Sequence, residues 1–216
     1  MSISDLLKGT YEADVINKMS VVYKNIEEKE TEWINKGAPV CKEGCGSCCV
    51  NFEPHIMECE ALYLASWLLE NQTEKANAIA KGTFEPLVDA NGLGCILFDP
   101  NSKWHCTVYE GRCLICRLFG YSGDRGKEGK ERFRPCKFMD KERLLEYGME
   151  HRQYEKEELL SKYDILPPLM QDCTAQAISV NPGAMAGTQS LREALPKALN
   201  KLIMLLSFMN DKEEFA

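Results

Sequence analysis

Several features missing from the 216-residue sequence narrow its function before any motif is found. It has no excess of positive charge: 26 Lys and Arg against 33 Asp and Glu give a formal net charge of −7. A broad basic face able to displace counterions along nucleic acid is therefore not expected. The one local concentration, Arg125, Lys127, Lys130, Arg132, Arg134 and Lys137, is interrupted by Asp124, Glu128 and Glu131 and reads as a solvated loop. Long hydrophobic runs are also missing. The most apolar stretch, residues 202–209, is far shorter than the roughly 20 residues a membrane crossing needs, so no membrane association is expected. The first residues, Met1-Ser-Ile-Ser-Asp-Leu-Leu-Lys, show no basic segment followed by an apolar run, which makes the cytoplasm the expected location. There is no internal repeat, no low-complexity tract and no glycine-rich strand-to-helix loop for a nucleotide cofactor. Histidine is scarce, three residues with no two at metal-ligand spacing.

What is present is cysteine, eleven of them. A reducing compartment does not keep disulfides, so thiols in this number need another use, and metal binding supplies one. The odd count weighs further against a framework of bridges alone. The remaining composition, 44% hydrophobic and 27% charged, is that of an ordinary globular chain, and residues 1–216 are expected to fold as a single domain.

Apolar residues in the first stretch, Ile3, Leu6, Leu7, Val15, Met19, Val22, Ile26 and Trp33, recur mostly at steps of three or four, predicting one amphipathic helix stopped by Gly37. A second helix is predicted from near Pro54, with Ile56, Cys59, Leu62, Ala65 and Leu69 on one stripe, and a third over residues 73–80 before Gly82. Residues 41–49 and 92–136 carry cysteine and glycine without a periodic apolar face and read as irregular loops. Asp140 is placed to cap a helix running towards Leu160. Further helices are separated by Pro167-Pro168 and Asn181-Pro182-Gly183, the last starting around Pro196 and ending at Met209. The predicted architecture is mainly α: helical flanks over 1–37 and 138–210, and a small helical domain carrying two irregular cysteine-rich metal-binding loops within 41–136.

The first loop reads Cys41-Lys-Glu-Gly-Cys45-Gly-Ser-Cys48-Cys49, and its glycines let the backbone turn so that several sulfurs converge. Thiolates packed this closely repel one another. A metal cation removes the repulsion and contributes folding free energy as it binds. The second set, Cys95, Cys106, Cys113, Cys116 and Cys136, lies in a segment too glycine-rich to hold itself together by burial alone, and metal would staple it.

These motifs carry a resemblance. The compact cluster ending in Cys48-Cys49, followed by Gly94-Cys95-Ile-Leu-Phe and Cys106-Thr-Val-Tyr-Glu-Gly-Arg-Cys-Leu-Ile-Cys116-Arg, resembles the YkgJ-type cysteine cluster family of zinc- or iron-chelating domains over residues 41–136. Cys106, Tyr109, Arg112, Cys116 and Arg117 fall in the family's pattern. The first gap, Cys41 to Cys45, holds three residues where the family commonly has two, and Cys113 stands where it usually has proline. The resemblance implies metal binding and says little about a reaction. It favours eight ligands, Cys41, Cys45, Cys48, Cys49, Cys95, Cys106, Cys116 and Cys136, divided into two four-sulfur sets, with Cys113 an open case. Neighbouring side chains in extended chain diverge, so Cys48 and Cys49 are expected to serve different sites.

Four thiolates suit either a zinc ion or a 4Fe-4S cluster. Only one Cys-x-x-Cys spacing sits in each segment, Cys45 to Cys48 and Cys113 to Cys116. Irregular spacing with many sulfurs favours iron–sulfur over structural zinc. Arg112 and Arg117 beside the ligands would offset cluster charge and serve as cofactor-binding residues. Cys59, on a helical stripe, and Cys173 read as core thiols, and His55 and His105 as ordinary histidines before ligands. The spacing Cys41-x-x-x-Cys45-x-x-Cys48 also matches radical S-adenosylmethionine enzymes, but no strand precedes it and Ser47 stands where an aromatic is usual. The leading expectation is an iron–sulfur protein with a redox or cluster-dependent role and a protein redox or interaction partner. The alternatives are a zinc-binding interaction module and, by analogy with flagellin lysine methylases, a cluster-dependent modifying enzyme.

Overall fold

The computed structural model describes residues 2–39, 41, 44–87, 93–182 and 187–213. Helices dominate the described residues, nine against five strands of two or three residues each. The first amphipathic stretch folds as two helices. In α1 (Ile3–Leu6) the Ser2 hydroxyl accepts from the Asp5 N–H, and the Asp5 carboxylate accepts from the Ser2 N–H. Gly9, at φ +89°, turns the chain, and Thr10 caps α2 (Tyr11–Asn35) by accepting from the Ala13 N–H. The α2 stripe of Val15, Met19, Val22, Ile26 and Trp33 is buried as its spacing predicts, and Gly37 takes φ +76° just beyond the helix.

The second helix starts later than predicted. His55–Ile56 forms β1, paired antiparallel with β5 (Gln189–Ser190), and α3 (Glu58–Asn71) follows. α4 (Thr73–Ala80) has the predicted bounds. The second cysteine segment is less irregular than its composition suggests: it contains α5 (Leu114–Leu118) and the hairpin of β2 (Asp124–Arg125) with β3 (Glu131–Phe133). The basic run read as a solvated loop is this hairpin, with Arg125 held bidentately by Asp172 and Arg132 paired with Asp124.

Asp140 does cap a helix, α6 (Lys141–Glu146), by accepting from the Arg143 N–H. That helix stops at once, because Gly148 at φ +59° turns the chain into β4 (Tyr154–Glu155), and α7 (Lys156–Tyr163) begins separately. α8 (Met170–Val180) follows Pro167-Pro168. α9 (Leu191–Glu213) begins ahead of Pro196, which sits inside the helix in its second turn and removes one backbone donor there.

Two cores result. The larger joins α1 to α4, α8 and α9 through Met19, Leu62, Leu68, Leu195, Leu199 and Leu202, and takes in Leu97 and Leu118 from the second cysteine segment. The smaller lies among β3, β4, α6 and α7, where Trp33 meets Phe133 and Tyr163 edge-on at 5.6 and 4.9 Å. Each large apolar side chain so buried contributes about 1.5–3 kcal/mol. α2 runs through both cores, which brings Ile34 at its C-terminal end to the cysteine loops. Among the described residues no helix is long and apolar enough to cross a membrane.

Candidate metal centre

The first cysteine loop lies flat against the second because glycine permits it. Gly44 and Gly46 take φ +66° and +57°, and a Cβ on Gly46 would stand 2.5 Å from the His105 Cβ. One on Gly44 would stand 2.8 Å from the Lys103 carbonyl oxygen. The Cys95 N–H donates to the Cys49 carbonyl at 3.0 Å, tying the loops backbone to backbone. Glu53 and Arg192 brace this contact from α9: the Arg192 Nε donates to Glu53 at 2.7 Å, and its Nη2 donates to the Gly94 carbonyl at 3.3 Å.

Glu60 of α3 fixes the other ligand-bearing element. Buried to 3% exposure, it accepts from the Leu114 N–H at 2.7 Å and the Met57 N–H at 2.9 Å, so it sets the start of α5 and with it Cys113 and Cys116. Arg117 holds the same region from behind. At 1% exposure its guanidinium lies over the Tyr23 ring at 4.1 Å, pairs with Glu27, and donates to the carbonyls of Glu110 and Arg112. It faces the core, whereas Arg112 faces the cysteines.

Between the loops is a cavity of about 320 Å³ whose wall includes Cys41, Cys45, Cys48, Cys49, Cys95, Cys106 and Cys116. Phe52, Trp104, Tyr109, Phe119 and Tyr121 supply aromatic surface, and Arg112 is the one charged residue among the described lining residues. Trp104 stacks on Tyr109 at 4.6 Å, and the Arg112 guanidinium lies 4.1 Å from the Tyr109 ring. Cys136, the eighth predicted ligand, is not on the cavity wall. It is buried within electrostatic reach of Cys41, Cys45 and Cys48. Among the described residues no three cysteine, histidine or carboxylate side chains meet at one ion position.

The expected divergence of Cys48 and Cys49 is not found. They sit in a turn, not in extended chain, and their sulfurs lie 3.8 Å apart on the same cavity. Cys113 is 3% exposed, and its neighbour Cys116 together with burial pushes its thiol up. Cys59 donates to the Ala177 carbonyl at 3.6 Å in the larger core, and Cys173 is buried there too. His55 is exposed on β1, the His105 ring packs on Gly46, and neither lines the cavity.

Burial and mutual repulsion hold Cys41, Cys95 and Cys106 protonated. Desolvation, then Cys45 and Cys136, pushes Cys41 up to about 12. Desolvation likewise lifts Cys106 to about 11, and raises Cys95, where Cys116 and Cys106 add to it. The hydrogen bond between Cys48 and Cys49 drives Cys48 down to about 7 and Cys49 up. A set of thiols that resists ionisation without a cation fits a metal, which supplies the missing positive charge when bound.

Glu60 and a second buried carboxylate, Glu30, were not singled out from sequence. Both sit in runs of charge, Glu27-Glu28-Lys29-Glu30 and Glu58-Cys59-Glu60, that look like solvated helix faces. The only available signal was Glu60 falling at the third helical position, three residues after the α3 N-cap, Met57.

The fold and the site define a helical protein built around a many-thiol, metal-chelating centre. The family whose model matches residues 40–156, more than half of the chain, is CxxCxxCC, described as a putative zinc- or iron-chelating domain. The chain belongs to that family. The match extends past Cys136 through the hairpin partner β4, beyond the 41–136 span of the resemblance. No curated protein and no solved structure matches the chain.

Proposed function

We propose that this chain is an iron–sulfur protein, with eight thiolates in two four-sulfur sets and a role in electron transfer, redox sensing or cluster-dependent modification alongside a protein partner. The observation that carries the reading is the seven cysteines from two separate loops around one cavity of about 320 Å³. A polynuclear cluster takes its thiolates on different irons and so needs them around a volume, whereas a lone ion draws four sulfurs to a point. The division follows which thiols act on which. Beyond burial, Cys41 is raised by Cys45, Cys136 and Cys48, and Cys95 by Cys116 and Cys106, while Cys49 is raised first by its hydrogen bond to Cys48 and then by Cys95 and Cys116. These couplings support one set built on Cys41, Cys45 and Cys136 and another on Cys95, Cys106 and Cys116, with the adjoining Cys48 and Cys49 supplying the fourth sulfur of each. A bound cluster supplies one-electron chemistry. The chain's own residues hold it, exclude water with Phe52, Trp104, Phe119 and Tyr121, and offset its charge with Arg112.

A second reading, zinc in a structural or interaction module, has one observation in its favour. The 3.8 Å between the Cys48 and Cys49 sulfurs is the separation of two ligands on a tetrahedral ion, whose Zn–S bonds are ~2.3 Å. The test is an absorbance spectrum of protein purified without oxygen. Iron–sulfur protein is brown and bleaches with dithionite, and colourless protein with stoichiometric zinc selects the second reading.

A further inference from the structure

We propose that Glu30 is the proton-exchange group of this centre, binding a proton from solvent as the centre gains an electron and releasing it as the electron leaves. The proposal rests on the iron–sulfur reading. Glu30 lies on α2 at 6% exposure, and its Oε1 accepts no hydrogen bond. The contrast with Glu60, equally buried but bonded to two N–H groups, marks Glu30 as a carboxylate not used for architecture.

Its surroundings connect it to the cavity. Arg112, Tyr109 and Tyr121 line the cavity and lie within electrostatic reach of Glu30. Arg117 of α5, Glu27 one turn earlier on α2 and Cys173 of α8 are the other titratable or charged groups facing it. Arg117 is already occupied by Glu27 and two carbonyls, whereas Arg112, which donates to the Tyr109 carbonyl, acts electrostatically on both Glu30 and Cys106. Negative charge added to the centre therefore competes with ionised Glu30 for one guanidinium and repels it directly. The Trp33 Nε1, one turn further along α2, is likewise buried without a partner. Burial, opposed by Arg112 and Arg117, raises the Glu30 carboxyl to about 7.

The step balances as one electron from a one-electron donor, dithionite in the test, and one proton from water, forming only the O–H bond of the Glu30 carboxylic acid. The test is a spectroelectrochemical titration of the iron-loaded full chain at a series of pH values. Above about pH 7 the wild-type midpoint potential should fall with rising pH. Each pH unit should shift the reduction equilibrium up to tenfold, which is ~59 mV for one electron. Glu30→Gln should give a pH-independent potential at the wild-type acidic value, and Glu30→Asp should keep the dependence. A Gln variant that keeps the wild-type slope, or a wild type without one, overturns the proposal. Infrared difference spectra of the wild type provide a measurement independent of variant folding: a carboxylic-acid band must appear on reduction, and its absence also overturns the assignment. Brown protein with a flat potential refutes Glu30 alone, whereas colourless zinc protein refutes both this proposal and the reading beneath it.

Discussion

Replacing Glu30 by glutamine removes a buried negative charge while keeping the side chain's shape, and its effect on stability should depend on pH in a defined direction. Burial raises the carboxyl from 4.5 to about 7, so the folded state holds this proton more tightly than the unfolded state does. Below pH 4.5 both states are protonated and the charge costs nothing. As pH rises from there through about 7 the unfolded chain ionises first, and wild-type stability is lost progressively. At ~1.36 kcal/mol per tenfold difference in proton affinity, the full loss is about 3 kcal/mol above neutrality. Glutamine does not ionise. Glu30→Gln should therefore be close to neutral near pH 4.5 and stabilising by about 2–3 kcal/mol at alkaline pH. Urea unfolding of both proteins in the same metal state measures the difference, and the pH dependence contributed by the cysteines then cancels. A difference that does not change with pH, or a destabilisation that grows with pH, would show that Glu30 is not a buried unpaired carboxylate.

The remaining predictions concern the loops and the core thiols. Cys45→Ser, Cys95→Ser and Cys136→Ser should each lower metal per chain on elemental analysis, and loss in Cys45→Ser alone would make the first loop the whole site. Gly46→Ala places a Cβ 2.5 Å from that of His105 at a φ of +57°, so it should cost about 2 kcal/mol or more and weaken metal retention against a chelator. Adding His105→Gly should restore part of both, and a neutral Gly46→Ala would refute the close docking of the loops. Cys59→Ala should keep its metal and lose only about 1 kcal/mol of stability. Loss of metal in that variant would make Cys59 a ligand.

The sequence was most legible where periodicity or local chemistry is strong. The α2 stripe from Val15 to Trp33, the bounds of α4 and the Asp140 cap follow from spacing and capping alone. β1 to β5 were illegible because two or three residues cannot display an alternation, and some pairing partners are distant, as with His55 and Ser190. The break between α6 and α7 rests on one glycine, Gly148, inside an otherwise helical pattern. In the site, cysteine spacing identified the two segments that meet, and seven of its eight chosen sulfurs line the cavity. The expected divergence of the Cys48 and Cys49 side chains failed because the direction of neighbouring side chains depends on a turn that composition does not specify. Arg112 and Arg117 look equivalent in sequence, yet only a tertiary contact, the Glu27 pair behind α5, turns one of them into a buried strut. Glu30 and Glu60 were hidden for a related reason, since the burial of a charge is a property of packing.

The central claim is that these thiols hold an iron–sulfur centre. X-ray absorption at the iron and zinc edges, combined with iron, zinc and acid-labile sulfide analysis of anaerobically purified full chain, tests it most directly. Iron with matching sulfide, all-sulfur coordination and a short iron–iron vector are expected. Stoichiometric zinc in a four-sulfur shell at ~2.3 Å, without sulfide and without any metal–metal vector, would contradict it.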